Sequence, residues 1–336
     1  MIPAALESAI YGLVSTPALY LADKHGIFRY LIDDGPADAA AMAGRLGVDQ
    51  DTTQRLLLVL VAFGVLRIGM DGTFSVPADV RPYLDRRDEH YVGGFVEHLV
   101  VHTPTRLPRL DTFMTHGRAA TDAAQPGPFE TFYRNEQATR AFVEAMWNLS
   151  YAASHELARL ADLRDDELLV DVGGASGPFA IAALLRRPSL RAVVFDLPPV
   201  EPYLRQASRA HGVADRLDFV PGDFFSDDLP EGDCIAFGYV LSDWTDETCL
   251  GLLRKAYQAC RPGGRVLIME RLFDDDRRGP LATAVMNLEM HVETQGRHRT
   301  AAEYTDLLAE AGFNTAAVRR SSREKHLVTG HKGRRA

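Results

Sequence analysis

Cysteine is scarce. The 336 residues hold three, Cys234, Cys249 and Cys260, an odd number without CxxC spacing. That excludes a disulfide framework and gives no zinc motif, so the three are expected as reduced core thiols and no metal is expected. Cationic residues are outnumbered, 37 Lys and Arg against 46 Asp and Glu, for a net charge of −9. Non-specific nucleic-acid binding rests on a cationic footprint and is disfavoured. No apolar run reaches transmembrane length, and "MIPAALESAIYGLV" lacks the basic-then-apolar order of a leader. A soluble, cytoplasmic chain without a membrane partner is the expectation. Internal repeats and low-complexity tracts are also absent.

What is present is enough apolar residue, 46% of the chain, to bury a large core, at a length that favours more than one domain. "ADAAAMAGRLGVDQDTTQRLLLVLVAFGVL" reads as two helices around a Gly47 turn, with a cap at Asp49 or Asp51 and an apolar side on Leu56, Leu57, Leu60 and Phe63. "VLRIGMDGTFSV" follows as two strands about a DG turn. Together they suggest a winged helix-turn-helix. A DNA-reading second helix presents Arg, Lys, Asn or Gln; here Asp51, Thr52, Gln54 and Arg55 offer one cation, so a dimerisation module is favoured. The apolar surplus of "ALESAIYGLVSTPALYLADKHGIFRYL" points to a partner chain, a homodimer.

Residues 103 to 130, rich in Pro, Gly and Thr, read as a connecting loop, and helix resumes at "TRAFVEAMWNLSYAASHELARLADL". Beyond it, apolar β-rich runs alternate with amphipathic helices, the pattern of a parallel sheet covered on both faces. The expected divisions are a helical domain over 1–105, a connecting loop and helices over 106–160, and an α/β domain over 161–336.

"LLVDVGGASGPFAIAAL" places a strand, Asp171, a glycine loop with Gly173, Gly174 and Gly177, and a helix in that order. Such glycines let backbone turn tightly beneath a ligand, although the spacing departs from G-x-G-x-x-G. Asp196 ends the next strand, at the distance where an acid meets ribose hydroxyls, and Asp223 with Phe224 ends the third, suited to adenine.

In this order "DVGGASG", "VVFDLP", "GDFF", "LSDWTDE" and "DDDRRGPL" resemble the S-adenosylmethionine-dependent O-methyltransferases that act on small phenols, over most of the chain. The resemblance implies a methyltransferase-type Rossmann-like doubly wound α/β sheet behind an N-terminal α-helical winged-helix dimerisation domain. S-adenosyl-L-methionine is the implied cofactor, held by Asp171, Gly173, Gly177, Asp196, Leu197, Asp223, Phe224 and Tyr239. Tyr133 in "FYRNE" and Trp147 in "AMWNLS" match positions that also touch it. Phe142, Met146, Asp243, Met286 and Met290 fall where the family lines its substrate site.

The family's "LHDW" histidine deprotonates the acceptor, and here that position is Ser242. The carboxylate that orients the histidine remains as Glu270, and a further family acid is replaced by His298. His298 is therefore the first candidate base and His291 the second, since imidazole titrates near neutrality. Glu289 and Glu293, four apart on one helix, share a face and suit a substrate amine. A small aromatic acceptor methylated on oxygen or on an adjacent ring carbon follows, in secondary metabolism such as antibiotic tailoring. Rival readings are a relative that binds the cofactor but catalyses hydroxylation, decarboxylation or pericyclic closure, a winged-helix regulator, and a dehydrogenase.

Overall fold

A computed structural model describes residues 2–118 and 128–334. The chain divides into two compact units, one ending at Thr105 and the other beginning at Arg106.

The first unit is built from α1 (Ala4–Lys24), α2 (Ile27–Asp33), α3 (Ala39–Leu46), α4 (Gln50–Ala62), a ribbon of β1 (Arg67–Ile68) and β2 (Phe74–Ser75), α5 (Arg81–Leu84) and α6 (Gly93–Val101). Gly47 closes α3 in the left-handed region, and Asp49 caps α4 by accepting the Thr52 amide at 2.7 Å. Leu57 and Leu60 are buried against Phe28, Met42 and Phe74, but Phe63, expected on the same side, is 45% exposed. It stands at the C-cap, where the helix has ended and its phase no longer carries the residue inward.

The second unit contains α7 (Arg109–His116), α8 (Pro128–Phe132), α9 (Glu136–Ala161), β3 (Leu168–Val172), α10 (Pro178–Arg186), β4 (Arg191–Asp196), α11 (Glu201–Ala210), β5 (Leu217–Pro221), β6 (Gly232–Gly238) and α12 (Asp246–Ala259). There follow β7 (Cys260–Glu270), β8 (Leu272–Phe273), α13 (Leu281–Glu293), β9 (Arg299–Thr300), α14 (Ala301–Glu310), β10 (Thr315–Arg319) and β11 (His326–His331). Of the expected loop over 103–130, residues 119–127 lie outside the described residues. Much of the remainder is helical, as a turn at Thr103–Arg106 and as α7 and α8. Proline at a first helical turn costs no hydrogen bond, which is how a Pro-rich stretch starts α8.

The seven-stranded sheet has the order β10-β11-β7-β6-β3-β4-β5. β3 to β7 are parallel, whereas β11 runs antiparallel to β7 and β10 antiparallel to β11, so the sheet is mixed rather than purely parallel. Alternate residues of β3 enter two different cores. Leu169 packs with Leu157, Ile181 and Leu204 of α9, α10 and α11, while Val170 packs with Leu252, Tyr304 and Leu308 of α12 and α14. Burial on both faces is why the strand reads as an unbroken apolar run. Strand order reverses between β3 and β6, and the loops beyond their carboxyl ends diverge there. That crevice is where open α/β sheets bind ligands.

Candidate active site

The loop after β3 is shaped by close approach. Gly173 and Gly177 have φ of 67° and 77°, and a Cβ on Gly173 would lie 2.7 Å from Val240. A Cβ on Gly174 would lie 2.8 Å from the Asp171 carboxylate, which is buried under the loop and accepts the Ala180 amide at 3.3 Å. Asp171 thus braces the glycine loop from below, and burial pushes its carboxyl up to about 7. Asp196, at the end of β4, accepts the Ala175 amide at 2.8 Å and the Leu197 amide at 2.7 Å. Burial raises it to about 6, opposed by those two N–H donors.

After β5, Asp223 accepts the Phe225 amide at 2.9 Å, and Phe224 approaches the position a Gly173 Cβ would take to 3.8 Å. The structure therefore gathers Gly173, Asp196, Asp223 and Phe224 along one edge. Lys255 of α12 fixes this loop, its Nζ donating to the carbonyls of Phe224, Phe225 and Asp227 at 2.8–2.9 Å. Nothing in the sequence near Asp223 pointed to a lysine thirty residues on.

Beyond β6, Tyr239 takes φ 56° and Leu241–Asp243 form a single 3-10 turn. Three contacts hold that turn. Arg299, whose side chain is fully buried, donates from Nη1 to the Leu241 carbonyl and from Nη2 to the Trp244 carbonyl, each at 2.9 Å, and forks onto Asp246 at 2.6 and 2.8 Å. Gln295 donates its amide to the Asp243 carbonyl at 3.2 Å. Gly296 packs so tightly that a Cβ would fall 1.8 Å from the Ser242 carbonyl oxygen.

Within this frame Ser242 is buried and donates its amide to Glu270 Oε1 at 3.2 Å. Its hydroxyl acts on the same carboxylate, drawing its pKa down, although burial prevails and leaves Glu270 raised. Glu270 Oε2, Arg271 Nη1, His298 Nδ1 and Tyr239 Oη are buried without a hydrogen-bond partner among protein atoms. Pairing of β8 with β9 sets Leu272 opposite Arg299, which brings Arg271 and His298 into one neighbourhood. Burial, with the Arg271 and Arg299 cations, pushes His298 down to about 3. It is a neutral imidazole that binds protons weakly, which runs against its expected role as the base. Asp243 is raised well above the carboxylate range by burial, Glu270 and Glu293. Tyr133 feels both Asp196 and Asp243 and so lies near each.

His291, the second candidate base, projects from the exposed side of α13 with its ring edge-on to Phe113 at 5.3 Å. It is not brought to Ser242. Glu289 is buried, and Glu293 pairs with Arg106, so the chain itself supplies a cation for one of the acids assigned to a substrate amine. Phe142 stacks on Phe132 at 4.3 Å and meets Tyr133 and Phe129 edge-on, and Phe129 stacks at 5.8 Å on Trp244. Met290 is buried and Met146 and Met286 are half-buried. Trp147 stacks on Tyr151 at 4.3 Å. Among the described residues no group of three metal ligands occurs.

Residues 110–314 match the O-methyltransferase domain family. The chain belongs to the S-adenosylmethionine-dependent O-methyltransferases. It is 33% identical to bovine (Bos taurus) acetylserotonin O-methyltransferase across 94% of both chains. It is also 33% identical to a Streptomyces sahachiroi 3-hydroxy-5-methyl-1-naphthoate 3-O-methyltransferase, over 92% of this chain and 89% of the relative. The structure of human N-acetylserotonin methyltransferase in complex with S-adenosylmethionine superposes with a TM-score of 0.89 at 28% identity, covering 98% of this chain and 97% of that one. The local geometry of this O-methyltransferase fits the cofactor: a glycine cradle that a Cβ would fill, a buried carboxylate at the end of β4, and the unpartnered Ser176 Oγ in the glycine loop.

Proposed function

We propose that this enzyme methylates a hydroxyl of a small aromatic metabolite, and that Glu270 accepts the departing proton through Ser242. When bound, S-adenosylmethionine supplies an activated methyl on sulfur. Gly173 and Gly177 would admit it against the loop, Asp196 would accept its ribose hydroxyls, and Asp223 with Phe224 would flank its adenine. Tyr133 and Trp147 would close its other side.

The chain's own residues then have two tasks, alignment and proton transfer. The aromatic cluster of Phe129, Phe132, Phe142 and Trp244 suits a flat acceptor. Asp243, kept protonated, would donate a hydrogen bond, and the neutral His298 would hold a further polar group. The Ser242 amide donates to Glu270 Oε1, which sets the serine side chain beside a carboxylate whose second oxygen has no partner among protein atoms; that observation carries the reading. The relatives' printed substrates, acetylserotonin and a hydroxynaphthoate, supply the acceptor class.

The apolar face of α1, with Leu6, Ile10, Leu13 and Val14 each more than 50% exposed, supports a homodimer, and the helix-turn-helix and ribbon of the first unit would serve as its winged-helix scaffold. Arg55 on α4 is already paired with Asp51 at 2.8 Å, which leaves little for DNA. No helix among the described residues is long and apolar enough to cross a membrane, and three buried free thiols suit a reducing cytoplasm.

The test uses methyl-labelled cofactor with a panel of hydroxyindoles, hydroxynaphthoates and other phenols. Labelled ether product is expected, with Glu270→Gln and Ser242→Ala each slowing transfer by about 10²-fold or more, the scale of general acid–base catalysis. Tight cofactor binding without labelled product would support a non-methylating reaction, and label on a ring carbon would move the acceptor atom.

A further inference from the structure

Antiparallel insertion of β11 beside β7 sets His326 opposite Glu270, so the chain just before it, at Lys325, arrives at the carboxyl edge of the sheet from fifty-five residues away. Lys325 is 4% exposed, and its Nζ donates to Ser150 Oγ of α9 at 3.0 Å. It stands 3.7 Å above the Tyr239 ring and 3.8 Å from the position of a Cβ on Gly238. Among the described residues this ammonium has no contact ion pair; the Ser150 hydroxyl and the face of the Tyr239 ring are its close partners. A buried ammonium is costly unless nearby negative charge compensates it.

Two carboxylates do so from beyond contact distance, Glu270 and, more weakly, Asp171. Seen from Glu270, Lys325 is the foremost cation. Arg299 of β9 acts more weakly, and that arginine is already committed to the Ser242 turn. The other groups facing Glu270 are Ser242, Asp243, Cys249 of α12, Tyr239 and Tyr304 of α14. Around Lys325 stand also Arg271 and Glu324.

We propose that Lys325 is a positioning residue for proton transfer, holding Glu270 in its ionised, proton-accepting form. The inference rests on Glu270 as the acceptor. In each turnover the substrate O–H bond would break as its proton passes to Ser242 Oγ and the serine's own proton passes to Glu270, and the O–CH3 bond gained would replace the C–S bond of the sulfonium donor, whose sulfur would leave as a neutral thioether. Glu270 leaves the step protonated and must lose that proton to solvent before the next. A fully buried carboxyl resists that loss, because burial favours its neutral form. The Lys325 charge opposes this, although burial itself pulls the ammonium down to about 7, and without that charge Glu270 would hold its proton more tightly.

The experiment measures kcat/KM from pH 5.5 to 9.5 for the wild type, Lys325→Met, Lys325→Arg and Glu270→Gln, with S-adenosylhomocysteine affinity by calorimetry. For Lys325→Met the acid limb should rise by about 1–2 pH units, as for loss of one neighbouring opposite charge. That is a loss of roughly tenfold or more near pH 7 that closes at high pH. Lys325→Arg should keep the limb near its native position, and affinity should change less than about twofold. If Lys325→Met does not fold, Lys325→Gln is read by the same criteria. An unmoved limb, or a loss equal at every pH, overturns the proposal. So does a large fall in affinity with the limb intact, which would assign the ammonium to the cofactor's carboxylate. Full activity in Glu270→Gln would instead remove Glu270 itself, whatever Lys325→Met does.

Discussion

Replacing Arg299 by Met should separate the scaffold of the Ser242 turn from its chemistry. The guanidinium is completely buried and donates to the carbonyls of Leu241, Trp244 and Arg297 at 2.9, 2.9 and 3.1 Å. Hydrogen bonds from a charged donor contribute about 1.5–3 kcal/mol each but do not add fully. Cys249 Sγ also donates to the Leu241 carbonyl, at 3.1 Å, so that acceptor keeps a partner. The arm to Asp246 counts for little, about 1 kcal/mol or less, because the Asp246 side chain is 53% exposed. The expected loss is therefore about 3–5 kcal/mol, the range for breaking a buried charged arrangement. In a unit of this size that corresponds to roughly 6–20 °C in Tm. Calorimetric melts of the wild type, Arg299→Met and Asp246→Asn check it. Turnover assayed well below the lowered Tm should still fall at least about tenfold, since the turn carries Ser242 and Asp243. A melt within about 2 °C of wild type, or an equal loss from Asp246→Asn, would refute the assignment of the stability to the three carbonyls.

Lys255→Met should free the loop after β5 and weaken cofactor binding about tenfold by calorimetry with only a small change in Tm; unchanged affinity would detach that loop from the adenine end. Asp171 and Asp196 have folded pKa values raised to about 7 and 6, so the stability tied to their neutral forms is present below the ordinary Asp value near 4. It is lost as pH climbs through 6 and 7, at about 1.4 kcal/mol for each tenfold difference in proton affinity between folded and unfolded chains. Cofactor-free protein should accordingly melt lower at pH 7.5 than at pH 5, with a smaller difference in Asp196→Asn, and a Tm that climbs steadily over this range would contradict the burial argument. If α1 is the proposed dimer interface, the wild type should sediment at twice the chain mass and Leu13→Glu, at an 81% exposed position, as a monomer; a dimer that survives the substitution moves the interface elsewhere.

The catalytic sheet was legible because its signals are local. Each parallel strand is an apolar run that both faces bury, and Asp171, Asp196 and Asp223 sit within or just beyond a strand end, where side chains of open sheets meet ligands. The phase of α13 was legible too: if Glu289 and Glu293 share a face, His291, about 200° from Glu289, points away from it. The hairpin of β10 and β11 was not, since "TAAVR" and "HLVTGH" are short and carry no turn signal between them, and with it went Lys325. Arg299 and Lys255 stayed hidden for another reason. Each serves carbonyl oxygens, and backbone acceptors leave no trace in the residue types that surround them.

His298 shows the limit of reading a substituted site one position at a time. A histidine where relatives carry an acid invites the thought that the base has moved, because free imidazole titrates near neutrality. Its burial beside Arg271 and Arg299 removes that property, and the same burial raises Glu270, the residue that had been cast only as an orienting partner. Proton affinity in this site follows from which charges stay unpaired. Arg299 is spent largely on the turn and Arg106 on Glu293, which leaves Lys325 as the foremost cation answering Glu270 and Asp171. Exchanging histidine for Ser242 then need not move the proton's destination. On the proposed reading it would shorten the path, from an imidazole held by a carboxylate to a hydroxyl that hands the proton to that carboxylate directly.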